Sequence, residues 1–101
     1  MGAISQKSAE FLIRSRIADA EKGNVDALFD LGVAYSTGRG GVPVDLIEAH
    51  KWFNLAALSG CSRGQECRAE IALEISAREI AEAQRQARAW LTSCGTQRRA
   101  A

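Results

Sequence analysis

The chain has 101 residues, 47% of them apolar and 25% charged, with one proline and nine glycines. Those proportions exclude a disordered or fibrous chain and fit one small globular domain with a thin core. Thirteen basic against twelve acidic residues leave a formal charge of +1, without the broad positive field that a phosphate backbone requires, so nucleic acid is not an expected partner.

Apolar residues recur at helical spacing and nowhere alternate over four or more positions, which predicts an all-α fold. The first helix is expected over residues 5–22, with Ala9, Leu12, Ile13, Ile17 and Ala20 on one stripe and Gly23 as its stop. The second spans 25–37 behind an Asn24 cap and buries Ala27, Leu28, Leu31, Ala34 and Tyr35. Residues 38–44 hold three glycines and Pro43 and must form a loop. Asp45 restarts helix as N-cap, with Glu48 placed to complete a capping box. The third helix, 46–59, buries Leu46, Ala49, Phe53, Ala56 and Ala57 with Trp52 beside them, and Gly60 ends it. A weaker fourth helix over 62–75 has the stripe Gly64, Cys67, Ile71 and Ile75. Ser76 and Glu79 form a second capping box, opening a fifth helix with Ile80, Ala83, Ala87, Trp90 and Leu91 on its apolar face. From residue 92 onward a frayed tail is expected.

Five helices joined by short turns imply antiparallel neighbours, and they repeat. The segment from Ala20 to Gly23 recurs as Ala57 to Gly60, 37 positions later. Ala27-x-x-x-Leu31-Gly32-x-x-Tyr35-x-x-Gly38-x-x-Gly41-x-x-x-Asp45-x-x-x-Ala49-x-x-Trp52-Phe53-x-x-Ala56-Ala57-x-x-Gly60 resembles the Sel-one-like repeat, a relative of the tetratricopeptide repeats. The resemblance implies a short right-handed α-solenoid of antiparallel helix pairs. One domain, 1–92, would comprise a half repeat at 5–23, a full repeat at 26–60 and a degenerate or capping pair at 61–92, with 93–101 as tail. At the same offset the last pair sets Gly64, Arg68 and Ala72 where Ala27, Leu31 and Tyr35 stand, and it has no glycine loop.

By the same resemblance, the protein is a protein- or peptide-binding adaptor or scaffold of a bacterial cytoplasm, with no catalytic activity and no cofactor. The first helix of each hairpin lines the concave side in related solenoids, which singles out Phe29, Asp30, Val33 and Ser36 as the partner-binding residues. Self-association through the open solenoid ends is the alternative, because so few repeats seldom stand alone. A third reading, a hydrolase of cell-wall or β-lactam substrates, follows only from cysteine-rich secreted relatives. Their cysteines pair across two helices, a pattern that Cys61, Cys67 and Cys94 do not show.

Chemistry read from the residues points the same way. The glycine loop before Asp45 lacks the Lys-Ser/Thr of a phosphate loop, and Asp45 and Glu48 occupy the helix N-terminus where phosphate would sit. The one histidine, His50, has no nucleophile at helical spacing and is expected at the surface or rim. Glu66, Glu70 and Glu74 share one helix face and are expected to be solvated. The three cysteines contain no CxxC pair, which argues against zinc and fits thiols in a reducing compartment. Residues 1–7 hold no long apolar run, so neither signal peptide nor membrane span is expected, and Gln6 stands where a myristoylation motif needs Ser or Thr.

Overall fold

A computed structural model describes residues 6–100 of the chain, and the side chains of residues 7–94. The expectations placed on residues 1–5 lie outside the described residues. Five α-helices are present: α1 (Gln6–Glu21), α2 (Val25–Thr37), α3 (Leu46–Leu58), α4 (Ser62–Ala72) and α5 (Ala77–Ala100), with a short 3-10 turn, Arg39–Gly41, between α2 and α3. No strand occurs among the described residues.

The helix starts follow from local hydrogen bonding. Asn24 Oδ1 accepts from the Ala27 amide at 3.2 Å, and Asp45 Oδ1 accepts from the Ile47 and Glu48 amides, each at 3.1 Å. Ser76 and Glu79 form the full reciprocal box: the Glu79 amide donates to Ser76 Oγ at 3.1 Å, and the Ser76 amide donates to Glu79 Oε1 at 2.8 Å. The box predicted at Asp45 is only half made. Glu48 turns away to accept from the Trp52 indole and from Lys51, both at 3.0 Å, while the Asp45 amide donates to the Tyr35 carbonyl at 2.9 Å. That last bond pins the start of α3 to the end of α2 and closes the glycine loop. At α4 the cap is a thiol that sequence reading passed over: Cys61 Sγ accepts from the Gly64 amide at 3.3 Å.

A short turn folds α1 onto α2, the glycine loop folds α2 onto α3, and α3 is the centre of the assembly. It packs on α2, α4 and α5, whereas α4 and α5 scarcely touch each other. The last pair is therefore held by α3 more than by its own hairpin. The α2–α3 seam closes because Gly32 has no side chain: a Cβ there would overlap Cγ, Cδ1 and Cε1 of the Phe53 ring. Gly40 meets a second requirement, with φ at +72° and Leu12 Cδ2 2.6 Å from where a Cβ would stand.

Ala27, Leu28, Leu31, Ala34, Ala49, Trp52, Phe53 and Ala56 are buried as the periodicity predicts. Other positions differ. Leu12, Ile13 and Ile17 of α1 are only half-buried, because one of their flanks has no neighbouring helix. Leu91, expected on the apolar face of α5, is 48% exposed, and Leu55, which the predicted stripe of α3 did not include, is buried. His50 is buried at 2% exposure instead of lying at the surface, because α3 is covered on three sides. The frayed tail expected from residue 92 is also revised. Helix α5 continues to Ala100 and buries Cys94, since no proline interrupts its backbone bonding there.

Candidate functional site

The four residues singled out for partner binding all lie on α2, and all are half-buried. Phe29 does not stand in solvent. Its ring meets Phe53 at 5.4 Å between centroids and 53° between planes, and the Arg63 guanidinium from α4 lies 5.0 Å from its centroid. Val33 packs against the cluster of Ala49, Phe53 and Ile71, and its carbonyl accepts from Ser36 Oγ at 3.2 Å and Thr37 Oγ1 at 2.7 Å. Asp30 pairs with Arg16 at 3.6 Å, and both side chains keep 39–46% exposure. The wheel of α2 alone placed Phe29 and Val33 off the buried stripe. The arrival of α4 beside α3 puts them in a seam, so Asp30 and Ser36 are the polar groups left for a partner to meet on this strip.

A concavity lies beside α1. A groove of about 700 Å³ runs between Ala9, Ile13 and Ile17 of α1 and the Tyr35, Val42 and Pro43 side, with Glu10 and Arg14 supplying one charge of each sign. The half-buried flank of α1 forms one wall and the glycine loop the other. No single helical wheel contains both walls, which is why the sequence pattern is silent about it. Burial raises the Tyr35 pKa above its ordinary value, helped by the nearby Glu48 and Asp45 carboxylates, so its hydroxyl stays protonated and able to donate at neutral pH.

The remaining chemistry-bearing residues are dispersed. Nδ1 of His50 is buried without a hydrogen-bond partner. The Cys61 sulfur is engaged as a cap, and burial pushes the Cys67 thiol up, with Glu70 adding to the effect and Arg63 opposing it. A thiol so placed stays protonated at neutral pH and is a poor nucleophile. Glu66 and Glu70 are exposed along α4, whereas Glu74 is exposed in the turn beyond its end, so the three do not share one helix face. Among the described residues no group of three or more His, Cys, Asp or Glu side chains could hold a metal ion, and no helix is long and apolar enough to cross a membrane.

Helices paired by short turns, small residues at the tight seams and a glycine loop inside one pair define an α-helical repeat of the tetratricopeptide-like class. The stretch of residues 25–61 matches the family model of the Sel1 repeat. It comprises α2, the glycine loop, α3 and the turn into α4. No curated protein and no solved structure matches the chain.

Proposed function

We propose that the chain is a protein–protein interaction module, an adaptor or scaffold with no catalytic activity of its own, working in the cytoplasm of a bacterium. The observation that carries this reading is the match of residues 25–61 to the Sel1 repeat, a kind of repeat that mediates protein–protein contacts. The α2 strip of Phe29, Asp30, Val33 and Ser36 is the proposed contact surface. Phe29 and Val33 shape it from within the seam, and Asp30 and Ser36 supply its polar contacts.

Charge reversal separates contact from folding. Asp30→Arg breaks only a half-exposed ion pair, of a kind that contributes about 0–1 kcal/mol. The variant is expected to melt with the wild type yet lose a partner that the wild type captures from native cell extract and rebinds when purified. Equal recovery by both proteins would remove the α2 strip from the proposal. Failure of the wild type to retain any purified candidate would remove the adaptor reading.

Self-association is a second reading, favoured by two large apolar side chains open to solvent, Phe11 on α1 at 72% exposure and Leu73 after α4 at 88%. It requires a scattering mass that rises with concentration, whereas the adaptor reading requires a constant one.

A further inference from the structure

His50 occupies the middle of α3, the helix on which α2, α4 and α5 all pack. Among the described residues it is the one polar or charged side chain in the core, 2% exposed, and its Nδ1 has no hydrogen-bond partner. One turn further along, Asn54 Oδ1 accepts from Arg68 Nη1 at 2.6 Å, which fixes a guanidinium of α4 on this side of α3. Arg68 is the charge whose field acts on the imidazole, and no carboxylate from α2, α4 or α5 offsets it. A neutral imidazole carries one donor and one acceptor nitrogen, whereas the protonated ring carries two donors and a full charge. An unpaired acceptor costs one unmade bond in the core. A buried cation without an acceptor, held near a second cation, costs far more.

We propose that His50 is an acid-sensitive latch on the seam between α3 and α4: the neutral ring fills the seam, and proton uptake at Nδ1 forces it open. Burial, and after it Arg68, lowers the ring's pKa below its ordinary value of 6.5. The unfolded chain takes up its proton near the ordinary value while the folded chain does not, so stability is complete above that pH and declines as pH falls below it. The four other displaced groups do not titrate across this range, and Arg85, raised by its hydrogen bond to Glu82, keeps its charge throughout. Hydrogen bonds from Arg85 and Gln86 hold Glu82 down to about 2, so it stays charged, while Tyr35 and Cys67 are pushed up and keep their protons.

The test is the melting temperature of the whole chain between about pH 7.5 and about pH 5, the window in which an imidazole changes charge. Wild type is expected to lose several degrees on acidification, and His50→Gln and His50→Phe less than half as much. Using two variants keeps the comparison intact if one of them fails to fold. Because the sequence has a single histidine, its ring proton signal in NMR reports this site alone. Its titration midpoint should lie below that of the denatured chain and move up in Arg68→Gln, with the acid loss reduced. An equal loss in wild type and variants, or a midpoint at or above that of the denatured chain, would overturn the latch.

Discussion

Phe53→Ala is expected to lower folding stability by about 3–5 kcal/mol, the range for removing a fully buried aromatic ring. Phe53 is 2% exposed, joins α2, α3 and α4 through Phe29, Val33 and Ile71, and lies against Gly32. A domain of this size has about 5–15 kcal/mol in total, and each kcal/mol moves Tm by about 4–8 °C. The same ring decides what Gly32 tolerates. On helix propensity alone, Gly32→Ala should stabilise α2 by about 1 kcal/mol. Against the Phe53 ring, however, the added Cβ has no room, and overpacking of this kind costs about 1–3 kcal/mol. Gly32→Ala is therefore expected to destabilise the wild type and to stabilise the Phe53→Ala variant. Chemical denaturation of the four proteins reads the sign directly. A Gly32→Ala effect of the same sign in both backgrounds would mean that the seam is not closed on this contact.

Trp52→Ala is expected to have the second large effect, also about 3–5 kcal/mol. Trp52 is 2% exposed and meets Trp90 of α5 edge-on at 4.9 Å, while its indole N–H donates to Glu48 at 3.0 Å. Packing and hydrogen bond are separable. Trp52→Phe keeps most of the ring area and loses the donor, so it should cost about 1 kcal/mol and a smaller share of the packing. Lys51 still neutralises Glu48 in that variant, which limits the penalty on the carboxylate. Because α5 is held by α3 and hardly by α4, Trp52→Ala should also free α5 before the rest of the chain. Amide exchange is the check. Protection lost evenly over all five helices would contradict the view that Trp52 and Trp90 fasten α5.

How far the sequence could be read depends on the range of the interaction concerned. Helix positions, the caps at Asn24, Asp45 and Ser76, and the small-residue seam at Ala27, Gly32, Ala49 and Ala56 follow from neighbours within about one turn. Those features were legible. The half-made box at Asp45 was not, because Glu48 had two claims on it and the indole four residues ahead won. His50 sits beside Lys51 and looks solvated on a wheel of α3 alone. It is buried only because helices on three sides close over α3, and nothing in its own segment announces that. Phe29 and Val33 were placed one contact short for the same reason, since Arg63 and the rest of α4 reach them from some thirty positions away in the chain. Of the proposed contact strip, then, the position of its four residues on α2 was legible, but their degree of exposure was not. The groove beside α1 was missed entirely, because its two walls belong to different elements.

The function proposed has residues 25–61 hold another protein against α2. Its most direct measurement is site-specific photo-crosslinking in the native cell, with the reactive side chain at Ser36 and a control at the exposed Arg85 on α5. The account predicts one discrete adduct from position 36 that contains a second, different protein and is absent from position 85. An adduct of only twice the 10.9 kDa chain, or no adduct from position 36, would contradict it.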